Sequence, residues 1–398
     1  MNKKYSALFL LALLSIITFL DRNAISIAGE RITQEMGLTE DEFGWILSAF
    51  TFAYCVFEIP SGMLGDSIGA KKVLARIVLW WSLFTALTGM TGGFASLFIV
   101  RFLFGAGEAG AYPNTAISIK EWFSGTVRGR AQAVIWMASR LGGALAPFIV
   151  IPLQVNFGWR VSFYVLGVVG LVWVVVWLIW YKDKERGNAV KDYQSYSFLH
   201  LKKWVRRKNF WLLVAMYYCY VSGVFFFISW LPKYLQNGRG IAENELAWAA
   251  SFPFLLSAAG CMMGGSLSDA LVKRMGLNRG RRIVPMTGLL LSGICMVLAA
   301  LITNNFTAVI LLGFGLACMD VTAPVAWTVA SGISGKDSGT VTGAMNTAGI
   351  LGGTVTSVGI GYLITIFHSY NLPVIVMAVF AIISACLWLW IKADEKVE

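Results

Sequence analysis

Charge is what this 398-residue chain has least of: Asp, Glu, Lys and Arg make up 13% of it, about half the roughly 25% of a soluble globular chain. Histidine is scarcer still. His200 and His368 stand alone, with no ligand spacing around them, and no metal site or cofactor is expected. Acidic residues number 21 against 32 basic ones, a net charge of +11 that would suit nucleic acid. The positive residues, however, fall at the ends of apolar runs, which is a topological placement and not a binding stripe. The six cysteines (55, 219, 261, 295, 318 and 386) all lie inside apolar segments, which excludes a secreted disulfide framework. No nucleophile–base set occurs at a useful spacing, so an enzyme is not expected. Gly105-x-Gly107-x-x-Gly110 fits a dinucleotide fingerprint, but no strand precedes it and it lies inside an apolar run, so that reading is rejected.

What the chain does have is apolar length. Hydrophobic residues make up 57% of it, with 16 Trp and 26 Phe. Runs of about 20 apolar residues mark membrane-spanning helices. Twelve are expected, near 7–28, 43–64, 73–93, 97–119, 131–154, 161–181, 210–231, 248–270, 283–302, 306–330, 341–366 and 372–391. The first run follows Lys3 and Lys4 as a signal peptide would, but it continues to Ala28 without a cleavage site and reads as a spanning helix. An even number of spans puts both termini on one side. Twenty-five Lys and Arg fall on that side, four (Arg31, Arg160, Lys233 and Arg239) on the other, and Arg22, Arg101 and Arg140 lie within spans, which accounts for all 32. The positive-inside rule then puts both termini in the cytoplasm and the protein in the cell membrane.

The longest polar stretch follows the sixth span and divides the chain into residues 1–181, a cytoplasmic linker 182–209, and residues 210–398. The halves repeat each other. Gly62-x-Leu64-x-Asp66 recurs as Gly265-x-Leu267-x-Asp269, and Leu141-Gly142-Gly143 as Leu351-Gly352-Gly353. Two homologous six-helix bundles around a midplane site is the architecture such a repeat implies.

Ionisable residues inside spans are expensive, roughly 2.5–3.5 kcal/mol or more each, and are functional candidates by default. They are Asp21, Arg22, Glu58, Arg101, Glu108, Arg140 and Asp320. Arg101 and Glu108 are seven residues apart, two helical turns, so they share a face that must point to protein or water. Asp21 reads either as a proton carrier or as the partner of Arg101 or Arg140. A carboxylate whose burial and arginine contacts change between conformations can carry a proton. Glu108, among glycines that let another helix approach, reads as a proton site or as a permanently protonated carboxyl bonded to the first helix. Arginine suits an anion because its planar fork meets a carboxylate bidentately. Arg22 is the first choice and Arg140 the second, while Arg101 reads as a salt-bridge or gating residue. Glu58, before Pro60, reads as structural or gating. Asp320 is a third titrating site or a helix–helix hydrogen bond. Trp327 could stack on a sugar-like face or simply pack.

The loop Gly62-Met-Leu-Gly-Asp66-Ser-Ile-Gly69-Ala-Lys71-Lys72 resembles the signature of the major facilitator superfamily. Physically, its glycines allow a tight turn, Asp66 can cap a helix start and the lysines hold the loop in the cytoplasm. Asp21-Arg22-Asn23, Arg101 to Glu108, Trp122-Phe123 with Arg128-Gly129, Gly158-Trp159-Arg160, Ser229-Trp230-Leu231-Pro232 and Asn346 with Gly352-Gly353 resemble its anion:cation symporter branch. The resemblance implies helices one, four, seven and ten around a cavity, Asp21 and Glu108 as proton sites, and Tyr54 and Asn346 as substrate contacts. The function it implies is proton-coupled symport of a small organic anion, a sugar acid such as galactonate, glucarate or a hexuronate, by alternating access in a monomer. An organic-phosphate or inorganic-anion antiporter is the alternative within transporters, and a non-transporting anion receptor the rival outside them. Vesicle flux separates the last two.

Overall fold

The structure is a computed structural model that describes residues 3–123, 125–181, 203–334 and 338–395. Every regular element among them is helical. In chain order they are α1 (Lys3–Ile27), α2 (Gly29–Met36), α3 (Glu40–Ile68), α4 (Ala70–Thr88), α5 (Phe94–Glu108), α6 (Ala111–Trp122), α7 (Gly125–Phe157), α8 (Trp159–Trp180) and α9 (Lys208–Phe225). Then follow α10 (Glu243–Met275), α11 (Leu277–Leu301), α12 (Asn305–Asp320), α13 (Thr322–Ser334), α14 (Ser338–Phe367) and α15 (Asn371–Leu387).

Nine helical runs among the described residues are long and apolar enough to cross a membrane, with α5–α6 and α12–α13 each counting as one run. The helices outlast the apolar runs that announce them. α3 begins at Glu40 because Thr39 and Glu42 form a reciprocal cap, Thr39 N–H to Glu42 Oε2 at 3.0 Å and Glu42 N–H to Thr39 Oγ1 at 3.4 Å. α2 is a short polar helix that hydropathy alone does not reveal, closed by Gly37 at φ +64°. The fourth expected span is two helices, and the tenth is interrupted at Val321. After α9 the chain winds through two π-type turns, Phe226–Trp230 and Tyr234–Gly238, either side of Pro232.

The chain forms two compact units. Among the described residues, one holds α1–α8 with residues 242–251, and the other holds α9, the rest of α10 and α11–α15. Most of the expected 182–209 linker lies outside the described residues. Each unit is built by the same helix pairings at glycine contacts. α1 packs on α7, where a Cβ on Gly142 would meet Ile16 O at 2.5 Å, and α9 packs on α14, where one on Gly352 would meet Tyr218 O at 2.6 Å. α3 packs on α5, where a Cβ on Gly105 would meet Phe50 O at 2.3 Å. Within the second unit a Cβ on Gly260 of α10 would meet Ala317 O of α12 at 2.2 Å. The repeat read from sequence is therefore a repeat of contacts.

Such close approaches leave no room for a methyl group. Gly105→Ala is expected to lower the melting temperature of the purified protein, through overpacking of about 1–3 kcal/mol. Gly359→Ala on α14, where a Cβ meets nothing within 4 Å, is the control and should leave it unchanged or raised. Equal melting temperatures for the two variants would refute the packing account.

Candidate functional site

α5 brings Arg101 and Glu108 to one buried face, 2% and 0% exposed, as their spacing dictates. The helix stops at Glu108. Ala109 turns extended (φ −54°, ψ 134°), Gly110 takes φ +88°, and α6 restarts at Ala111. Asn114, fully buried, braces this break by donating to Gly110 O at 2.8 Å and to Ser61 O of α3 at 3.1 Å. Glu108 is thus the last residue of a helix and not a mid-helix group.

α1 supplies its partner. Arg22 Nε donates to Glu108 Oε1 at 2.5 Å. The guanidinium sits among aromatic rings, 4.8 Å from the centroid of Tyr54, 5.2 Å from Phe50, 5.5 Å from Phe19 and 5.9 Å from Tyr112. Ring faces attract a cation and displace water, so the charge is held largely by the rings and by Glu108. The pair is not saturated: Arg22 Nη2 and Glu108 Oε2 are buried with no hydrogen-bond partner. A spare donor beside a spare acceptor, with Glu108 fully buried and Arg22 13% exposed, is an arrangement that a second anion or a proton can complete.

The other predicted residues fall into place around this pair or away from it. Asp21 is 2% exposed, and neither carboxylate oxygen has a hydrogen-bond partner, although Trp81 and Thr85 of α4 border it. Arg101 does not take the carboxylate partner expected of it. It pairs with neither Asp21 nor Glu108, and its guanidinium lies over the Phe104 and Phe50 rings at 4.5 and 5.1 Å. The reason is geometric. Seven residues along one helix separate Arg101 from Glu108 by about 10 Å of rise, whereas Arg22 reaches Glu108 across from the facing helix. Arg140 of α7, buried, lies 6.0 Å from the Phe19 ring, the ring that Arg22 also faces. Glu58 is buried one turn beyond Tyr54 on α3.

In the signature loop Gly62 backs onto Pro113, Gly69 takes φ +100° at the start of α4, and Lys71 O accepts from Trp177. Lys72 is exposed. The Asp66 side chain, and with it the expected cap, lies outside the described residues. In the second unit Trp327 Nε1 donates to Tyr217 OH at 3.0 Å, and Asp320 accepts from Tyr220 and Ser257. Asn346 is half-buried on α14, one turn before Gly349, which packs against Tyr217. Among the described residues no cluster of three or more His, Cys, Asp or Glu could hold a metal.

Tyr112 and Asn114 escape the sequence reading. The Tyr112 hydroxyl meets Ser139 Oγ at 2.8 Å, beside Arg140, and its ring stacks on Trp136 at 5.1 Å and 5°. A signal was available, since Tyr112 follows Glu108 by four residues and would share its face.

A second polar cluster in this unit joins α2 to the first turn of α8. Glu35 of α2 accepts from Trp159 Nε1 at 2.6 Å and from Arg160, and Arg160 Nη2 reaches Thr91 O at 3.1 Å. These contacts, the Trp159 hydrogen bond foremost, hold the Glu35 carboxyl below its ordinary value. A depressed carboxylate stabilises the fold above its unfolded pKa and loses that contribution as pH falls through its folded one. Melting temperature should therefore fall more steeply below about pH 5 in the wild type than in Glu35→Gln. Parallel curves would show that the cluster contributes nothing.

Comparison with known proteins gives a consistent outcome. The family model described as Major Facilitator Superfamily matches residues 11–355 and 240–398. A probable sulfoacetate transporter of Cupriavidus necator is 34% identical, covering 93% of this chain and 89% of that one. A hexuronate transporter of Bacillus subtilis is 31% identical over 89% of this chain and 87% of its own, and a probable L-galactonate transporter of Escherichia coli 28% over 93% and 85%. An inward-facing, occupied crystal structure of a bacterial homologue of the human lysosomal transporter Spinster aligns with a TM-score of 0.85 at 18% identity, covering 100% of this chain and 99% of that one.

Proposed function

The chain belongs to the major facilitator superfamily, and from that premise we propose that it is a proton-coupled symporter of a small organic anion, a sugar acid such as an aldonate, aldarate or hexuronate. It is a multi-pass cell-membrane protein and not an enzyme. The names of its relatives support an organic acid as cargo: hexuronate, galactonate, galactarate/D-glucarate and sulfoacetate. On this reading α3, α4 and α15 cross the membrane alongside the nine apolar runs, giving twelve spans in two six-helix bundles, 1–181 and 210–398, with both termini cytoplasmic.

The observation that carries the proposal is the half-satisfied Arg22–Glu108 pair. A carboxylate arriving at Arg22 completes the guanidinium fork and competes with Glu108 for its charge. Glu108, buried and deprived of its counter-ion, then becomes neutral by taking a proton, because an uncompensated charge at that depth costs several kcal/mol. Anion and proton are thereby loaded together. Asp21, 2% exposed and bordered by Trp81 and Thr85, is the second proton site of this unit. Arg140 adds positive charge for the far end of the anion. Tyr54 offers a hydroxyl group, and Asn346 and Trp327 supply neutral contacts from the second half of the chain. Alternating access of the two bundles then exposes the loaded site to either side.

The test is a thermal-shift panel of aldonates, aldarates, hexuronates and sulfoacetate, with the neutral parent sugars as controls. A subset of the anions should raise the melting temperature in a saturable way while the neutral sugars do not. Equal shifts from acids and parent sugars would contradict an anion site.

A further inference from the structure

Asp320 stands to the second unit as Glu108 stands to the first. Both are 0% exposed, and each is the final residue of a helix before an interruption, α5 before Ala109–Gly110 and α12 before Val321. They are 212 residues apart, close to the offsets of 203 and 210 that relate the repeated glycine motifs of the two halves. The surroundings repeat as well. Gly62 lies against Pro113, five residues past Glu108, and Gly265 lies against Pro324, four residues past Asp320. Three residues before Glu108, Gly105 lies against the α3 backbone, and three before Asp320, the Ala317 backbone lies against Gly260 of α10, with the glycine now on the facing helix.

The chemistry around Asp320 differs from that around Glu108 in one respect. Tyr220 OH donates to Oδ1 at 2.6 Å, and Ser257 Oγ–H donates to Oδ2. A hydroxyl donates and accepts equally well, so these partners can hold the carboxylate and, after one rotation, accept from the carboxylic acid. Arginine, which only donates, cannot do that. Of the helices around it, α9 presents Tyr220 and α10 presents Ser257; α11 faces α12 with Cys295 against Cys318, while α13 and α14 carry no charged residue. The charged residues nearest in sequence on these helices, Lys208 on α9, Glu245 and Asp269 on α10 and Arg282 on α11, lie toward helix ends. Tyr220 also sits one turn from Tyr217, ring centroids 5.4 Å apart, and Tyr217 accepts from Trp327.

We propose that Asp320 is a second-unit counterpart of Glu108: a proton-binding carboxylate whose hydroxyl partners relay its state through Tyr220 and Tyr217 to Trp327. Its place in transport rests on the symport reading above, whereas its proton binding does not.

Infrared difference spectra of the full-length protein in liposomes, recorded across a pH titration, test proton binding directly. The wild type should show a protonated-carboxyl C=O band that is absent in Asp320→Asn, retained in Asp320→Glu and displaced in Tyr220→Phe. Tyr220→Phe and Ser257→Ala keep the test decisive if Asp320→Asn fails to fold. Wild-type and Asp320→Asn spectra that superimpose over the whole range would overturn the proposal. For transport, one coupled proton fewer means about tenfold less accumulation per unit of imposed pH difference. Asp320→Asn should show that loss, and wild-type accumulation in this variant would remove Asp320 from coupling. Band titration with no proton-driven uptake in the wild type would instead sink the symport reading and leave the proton site standing.

Discussion

Glu108→Gln is expected to turn an accumulating carrier into an exchanger. Glutamine keeps the shape of a protonated glutamate and an oxygen for Arg22 Nε, so the 2.5 Å contact survives as a hydrogen bond from the charged guanidinium to a neutral amide. What is lost is the charge that competes with substrate and the proton that neutralises it. Because anion and proton are exchanged at the Arg22–Glu108 pair itself, accumulation driven by a pH difference should collapse to about unity even with Asp21 and Asp320 intact, while counterflow exchange persists. A second consequence follows from the same geometry. With Glu108 neutral, Arg22 carries an uncompensated buried charge, which is destabilising by up to about 3–5 kcal/mol when a buried pair is broken. The empty variant should melt below the wild type, and saturating anion should restore it by a larger increment than the wild type gains. Full proton-driven accumulation by Glu108→Gln would remove Glu108 from the mechanism.

Arg22→Gln should abolish binding. Two charge-assisted hydrogen bonds at about 1.5–3 kcal/mol each correspond to at least a 100-fold loss of affinity. Arg22→Lys should recover only part of it, because an ammonium is a point charge without the fork and stacks less well on Tyr54, Phe50 and Phe19. The pairing makes a further demand. Arg22→Gln strands the fully buried Glu108, so Arg22→Gln with Glu108→Gln should be more stable than Arg22→Gln alone. Isothermal titration and thermal melts of the four proteins read both effects. Wild-type affinity in Arg22→Gln would show that the anion binds elsewhere.

The membrane class, the repeat and the buried charges were all legible in the sequence, because each is a matter of composition or spacing. Arg101 and Glu108 share a face for the reason their numbering gives. The pairing was not legible. Which arginine reaches Glu108 depends on how α1 lies against α5, and that is set by contacts across helices such as Gly142 on Ile16 and Gly105 on Phe50. The break at Ala109–Gly110 was written in the glycines, but the same glycines also serve helix packing: a Cβ on Gly107 would overlap Trp80 and one on Gly110 would meet Ser61. α2 hid because a short polar helix carries no hydropathy signal, although Gly37 marked its end. Asp320 was legible as a titrating site or a helix–helix hydrogen bond, but its two hydroxyl partners, on helices 63 and 100 residues away, were not.

The most direct measurement is of proton movement by the wild-type protein itself. Liposomes loaded with a pH-sensitive dye, at equal pH inside and out and with the voltage clamped by a potassium ionophore, are given an anion that scores in the thermal-shift panel. The account predicts acidification of the lumen that follows anion entry, disappears on collapse of the proton gradient by an uncoupler, and is absent with Glu108→Gln. Anion entry at an undiminished rate with no change in lumenal pH would contradict it.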